Sequence, residues 1–161
     1  MLYGDIIKGL PIKVESCDGL YCSHILEHLS LNDFRKALLN SYSILKKGGI
    51  FRCIVPDIEH LARHYIADLD KGNKLASLSF IDGTLMGIKD RPIGFKNFVS
   101  SFFGNSRHLW MWDKQSLSEE LKKVGFKEIR VCKFNDSSDE MFKFVEDKGR
   151  FENAVALECV K

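Results

Sequence analysis

The sequence has no Cys-x-x-Cys pair, no excess charge of either sign and no long apolar run. Its five cysteines, Cys17, Cys22, Cys53, Cys132 and Cys159, are scattered and odd in number. That spacing excludes paired zinc-ligand cysteines and predicts reduced thiols in a cytoplasmic protein. Lys plus Arg number 24 against 22 Asp plus Glu, a net charge of +2. So even a balance supplies no electrostatic drive toward nucleic acid or an anionic membrane. No stretch reaches the roughly 18 apolar residues of a membrane span. Asp5, Lys8, Lys13, Glu15 and Asp18 interrupt the first twenty residues, which argues against a signal peptide. Internal repeats and low-complexity tracts are also lacking.

What remains is an ordinary globular composition: 161 residues, 45% hydrophobic and 29% charged. This length predicts a single domain over residues 1–161, large enough to build a core. The turn-prone Cys17-Asp18-Gly19 precedes a short β-prone run, Leu20 to Ser23. Ser30, with Asp33 three residues on, marks a helix start. Phe34, Ala37, Leu38, Ser41, Tyr42 and Leu45 follow at helical spacing, and Gly48-Gly49 reads as its stop. Ile50 to Val55 is the strongest strand, mostly apolar with one charge, and Pro56 ends it. Asp57 caps a further helix whose stripe is Ile58, Leu61, Ala62, Tyr65, Ile66 and Leu69. The order strand, helix, strand, helix is that of a right-handed parallel crossover.

A short helix is expected within 73–85. Residues 91–106 carry Phe95, Phe98, Phe102 and Phe103, either as core or as an aromatic lid. Ser116 and Glu119 form a capping-box pattern for a helix ending at Val124-Gly125. Strands are expected at 126–134 and 154–160, paired antiparallel at one sheet edge, with a short helix at 140–145 between them.

Four groups of residues could carry chemistry. His24-Ile25-Leu26-Glu27-His28 has the H-x-x-E-H pattern of an inverted zinc peptidase, with His24, Glu27 and His28 as its working residues. It follows a strand rather than lying in a long helix, and no later acidic ligand is recognisable, so no metal is assigned. His60 and His64 share a helix face offset from the apolar stripe and read as surface residues. Ser23-His24 and Pro56-Asp57 end neighbouring parallel strands, where open α/β sheets bind ligands; alternatively, His24 and Asp57 only cap helices. Arg107-His108 with Trp110 and Trp112 either lines a pocket or packs.

The ordered series of short motifs carries a resemblance. It runs Asp5 with Gly9-Leu10-Pro11, Asp18 to His24, Leu26-Glu27-His28-Leu29, Leu45-Lys46-Lys47-Gly48-Gly49, and Val55-Pro56-Asp57. His108, the helix from Ser116 and Val124-Gly125-Phe126 continue it. In this order the chain resembles class I S-adenosylmethionine-dependent methyltransferases, and within them the small bacterial type-11 group.

The resemblance implies an α/β, Rossmann-like sheet, mostly parallel with an antiparallel C-terminal strand pair, in the family order 3-2-1-4-5-7-6. It implies S-adenosylmethionine as cofactor, with Asp5, Ile6, Cys22, Ser23 and His24 beside it. It puts His28, Pro56 and His108 on the substrate side, with His24 and His108 as candidate catalytic bases for a small-molecule or sugar-like acceptor. The family's glycine loop and ribose-binding carboxylate have no counterpart here, so the sheet is expected to be N-terminally truncated, starting near the family's third strand. The first strand of the present chain would then expose an edge that pairs with a second copy or a partner chain. A methyltransferase-like remnant serving as an interaction module is the alternative to an active enzyme.

Overall fold

A computed structural model describes residues 3–89 and 107–161. The expectations for Phe95, Phe98, Phe102 and Phe103 lie outside the described residues. The sheet has four strands: β1 (Cys17–Ser23), β2 (Leu45–Pro56), β3 (Lys127–Val131) and β4 (Ala154–Val160), in the order β1-β2-β4-β3. β1 and β2 are parallel, while β4 runs antiparallel to both β2 and β3. Three of the four strands therefore point one way, and β4 is inserted against them. This is the 4-5-7-6 portion of the order that the resemblance implied.

α1 (Leu31–Ile44) makes the crossover between the parallel strands. Ser30 caps it, accepting from the Asp33 amide, as its position before the apolar stripe predicts. The stop differs from expectation. α1 ends at Ile44, and Lys46 to Gly49 form an irregular opening to β2 instead of a helix terminus. Gly49 is needed there, because a Cβ would lie 2.9 Å from the Lys46 carbonyl and 3.2 Å from those of Cys17 and Asp18. Gly49 thus serves close approach of β2 to β1, while Gly48 beside it takes a left-handed φ of 79° with open space where a Cβ would lie.

α2 (Ile58–Asp70) starts at Asp57, whose carboxylate accepts from the Glu59 amide. Its apolar stripe meets α3 (Ala76–Thr84), with Tyr65 against Phe80, and none of its residues is buried. α4 (Lys114–Val124) begins one turn earlier than predicted. Asp113 is its cap, and Ser116 occupies the third helical position of a reciprocal capping box. Asp113 outcompetes Ser116 because its carboxylate reaches the Ser116 amide at 2.7 Å. Gly125 ends the helix at φ 115°.

The helical face of the sheet holds the main core: Phe34 and Leu38 of α1, Leu117 and Leu121 of α4, and Phe51, Cys53, Val55 and Leu157 of the strands. Arg35 of α1 reaches Glu120 of α4 through two bonds of 2.7 and 3.0 Å. That guanidinium, followed by Lys123, holds the Glu120 carboxyl at about 2, well below its ordinary value.

The opposite face of β2 presents Arg52, which is fully buried. No strand pattern forecasts this: the single charge between Ile50 and Pro56 of β2 points inward. Its guanidinium donates to Glu158 at 2.7 Å, Asp136 at 3.0 Å and the Lys133 carbonyl at 2.6 Å, and pairs with buried Glu146. Arg130 shares Glu158 and Asp136, and Phe142 and Phe151 flank the Arg52 cation. A strap over residues 132–153, with 3-10 turns at Glu140–Phe144 and Lys148–Phe151, is therefore fastened across this face by charge. All five cysteines are free. Burial pushes the Cys22 and Cys132 thiols up to about 12, so neither forms a thiolate near neutrality.

Arg52→Met leaves Glu146 and Glu158 buried without their shared cation. It should lower the unfolding free energy by about 3–5 kcal/mol in urea titrations; a loss below about 1 kcal/mol would show that the strap is held by packing instead. For Glu120, the folded carboxyl titrates lower than the unfolded one. Its stabilisation is therefore present above the ordinary glutamate range and lost as pH falls through about 2. The melting-temperature gap between wild type and Glu120→Gln should close over that interval; a gap unchanged by pH would refute the Arg35 pairing.

Candidate functional site

The carboxyl ends of β1 and β2 lie side by side, as the crossover predicts. The His24 amide donates the last ladder bond to the Ile54 carbonyl at 2.9 Å, and His24 then turns to φ 52°. This left-handed turn is uncommon for a side-chain-bearing residue and is the kind of strain found at strand tips that carry function. A cleft of about 420 Å³ opens above the tips, lined among others by His24, Glu27, His28, Pro56, Asp57 and His108. Asp57 does cap a helix, whereas His24 caps none; the next turn, Leu26–His28, begins at Ile25 without a side-chain cap.

Backbone bonds assemble the rest of the site. The Glu27 carbonyl accepts from the amides of Leu109 and Trp110 at 2.7 and 3.1 Å. This ties residues 108–110 across the loop after β1. The Ile58 amide donates to the Trp112 carbonyl and fixes the next residues to α2. His108 thereby stands edge-on to His28, with ring centres 5.0 Å apart. Trp112 packs on Phe34 in the core, and Trp110 keeps one side exposed.

Each histidine donates one ring N–H to a carbonyl, which can only accept. His28 Nδ1 donates to Arg107 at 2.8 Å, His108 Nδ1 to Thr84 at 2.8 Å, and His24 Nε2 to Arg150 at 3.0 Å. In a neutral ring the other nitrogen is then a lone pair. Glu27 lies among them, 3.5 Å from His24 Nδ1 and 4.0 Å from His28 Nε2. Burial raises its carboxyl above the ordinary range, against the pull of its own backbone bond and of His24 and His28. Burial likewise lowers His108, only partly offset by its bond to Thr84, so its ring is neutral near pH 7.

The H-x-x-E-H segment is not helical beyond a single 3-10 turn, so His24 and His28 do not share a helix face as an inverted zinc peptidase requires. The residue that joins Glu27 and His28 is His108, 80 positions away in sequence and invisible to any local pattern. His60 and His64 stack on each other at 4.7 Å on α2, apart from this group.

The proposed cofactor contacts divide. Cys22 and Ser23 end β1 and His24 follows, and the Ser23 hydroxyl is buried without a partner among the described residues. Asp5 and Ile6 sit elsewhere. Asn40, near the far end of α1, binds the carbonyls of Ile6 and Ile7, which holds this segment toward the amino end of the sheet. Were S-adenosylmethionine bound, the β1 tip and the cleft are where the described residues would hold its methionine end and the acceptor. These residues offer neither a glycine-rich turn for its phosphate-free ribose linkage nor a carboxylate placed for the ribose hydroxyls.

Residues 1–53 match the family model described as a methyltransferase domain. No curated protein matches the chain. Among solved structures, a SAM-dependent methyltransferase from Archaeoglobus fulgidus aligns over 99% of this chain and 66% of its own, at TM-score 0.51 and 14% identity. One from Thermotoga maritima aligns over 96% and 61%, at TM-score 0.51 and 19% identity. A phosphoethanolamine N-methyltransferase from Haemonchus contortus, solved with S-adenosyl-L-methionine, aligns over 98% and 36%, at TM-score 0.50 and 14% identity. The chain spans 66% or less of each of these proteins. The chain thus carries the fold of these S-adenosylmethionine-dependent methyltransferases, and its first third is similar to the methyltransferase-domain model.

Proposed function

We propose that the chain binds S-adenosylmethionine at the end of β1 and takes part in methyl transfer to a small, oxygen-bearing acceptor of sugar-like polarity. The observation that carries this is the Ser23 hydroxyl, buried and without a partner among the described residues at the tip of a parallel strand, next to His24, which lines the cleft. Bound there, the cofactor supplies an electrophilic methyl group on a sulfonium. The chain's own work is to position the acceptor and exclude water. His28, Pro56 and His108 line the acceptor side, with Arg150, Glu152 and Asn153 opposite. This mixed polar lining suits hydroxyls better than a hydrocarbon. The lone-pair Nε2 of His108 can take the proton of an acceptor hydroxyl, while His24 directs its free nitrogen toward Glu27.

The free edge of β1 among the described residues supports a second protein contact. We propose that a second copy, or a partner chain, pairs with it. Light scattering should then give a mass above that of the single chain, and a monomer at all concentrations would refute it.

Calorimetric titration with S-adenosylhomocysteine tests the cofactor reading. Saturable binding is expected, weakened about fivefold in Ser23→Ala by loss of one hydrogen bond. A well-folded chain with no binding at millimolar ligand would overturn the reading, leaving a methyltransferase-like interaction module. So would a Ser23→Ala chain that binds as tightly as wild type.

A further inference from the structure

Both carboxylate oxygens of Glu27 are buried and lack a hydrogen-bond donor among the described residues; the residue is 1% exposed. An ionised carboxylate left so costs several kcal/mol. Its neighbours do not supply the missing protons. His28 and His108 have each committed a ring N–H to a carbonyl, so what they present is lone pairs. One carboxylate oxygen and one nitrogen from each of these two rings lie within 4.8 Å of one another. Lone pairs converging on one point are satisfied by a positive centre between them.

We propose that Glu27, His28 and His108 hold a divalent cation of the zinc class at the floor of the cleft. Two imidazoles and one carboxylate suit borderline metals such as Zn²⁺ and Co²⁺ rather than Mg²⁺ or Ca²⁺, which favour oxygen. Bonds of about 2.1 Å in a tetrahedral shell place ligand atoms about 3.4 Å apart. The Glu27 to His28 separation of 4.0 Å needs a small contraction to reach this, within reach of side-chain rotation. The second shell is already built: the carbonyls of Arg107 and Thr84 fix the tautomer and tilt of both rings, as is usual for ligating histidines. The Glu27 carbonyl holds residues 109–110, so the same residue positions the His108 segment and provides the anionic ligand. His24, whose free nitrogen is 3.5 Å from Glu27, stands beside the carboxylate as a fourth polar neighbour.

Three protein ligands leave a coordination position open toward the cleft, as in catalytic rather than structural sites. Resting on the methyl-transfer reading, the occupant of that position is an oxygen of the acceptor, which selects acceptors with a hydroxyl or carboxylate next to the methylated atom. His108 then holds the cation instead of a proton. The cation site itself does not depend on that reading.

Titration of the chelator-treated chain with Zn²⁺, in the absence of cofactor and acceptor, tests the site. One equivalent is expected to bind. Glu27→Gln, His28→Ala and His108→Ala should each weaken binding at least about tenfold. Replacing Zn²⁺ by Co²⁺ should give visible absorption bands of low-coordinate cobalt that vanish in the same variants. The double variant His60→Ala/His64→Ala should bind as wild type. Circular dichroism melts identify any variant that has failed to fold, and the Co²⁺ spectrum of wild type stands independently of them. No saturable binding, or binding lost with His60 and His64 but kept without His28 and His108, would overturn the proposal. S-adenosylhomocysteine titration of the metal-free chain separates this outcome from failure of the cofactor reading.

Discussion

The burial of Arg52 is the constraint on which the remaining structure depends. A cation with no access to water must find its counter-charges within the protein, and here they come from three places: Glu158 on β4, Asp136 after β3, and Glu146 in the strap. One face of the sheet is packed by α1 and α4 in the ordinary apolar way. The other is closed by a largely polar segment that is fastened by charge. Charge does the work that a helix stripe would otherwise do, and the small apolar cluster of Ile54, Cys132 and Ala156 lies beside it. A network of this kind contributes little net free energy when intact, yet its directional bonds fix one arrangement of the strap.

The strap in turn shapes the cleft. The Arg150 carbonyl accepts from His24, and the Asn153 carbonyl accepts from the Asp57 amide. The tautomer of His24 and the turn into α2 are thus set from the side of the sheet opposite α1. From the other direction, the Thr84 carbonyl at the end of α3 and the Arg107 carbonyl orient His108 and His28. Three histidines from two parts of the chain are held by the backbone carbonyls of Arg150, Arg107 and Thr84 around one buried carboxylate. Such preorganisation is what a site for polar chemistry requires, because the rings need not reorient when a ligand arrives.

The fold and the site differ in how legible they were. Ser30, Asp57 and Gly125 act as their sequence positions foretold, because caps and left-handed stops depend on neighbours a few residues away. The extent of β4 likewise follows from its composition. Gly48-Gly49 misled, since a glycine pair that ends a helix and one that admits a neighbouring strand read alike. Ser116 was a plausible cap until Asp113, three residues earlier, took the position.

By itself, the sequence determined the alternation of strands and helices, the parallel crossover and the nearness of His24 to Asp57. Those follow from periodicity, from turn chemistry and from the handedness of the β-α-β connection, all local or topological rules. Tertiary structure alone decided that Arg52 of β2 points inward, because the counter-charges that make this tolerable lie about 80 to 100 residues downstream. It alone brought His108 to Glu27 and His28, through amide bonds to a carbonyl whose partners no spacing rule can name. It also set the carbonyls of Ile6 and Ile7 against the Asn40 side chain of α1, a contact that no spacing rule names.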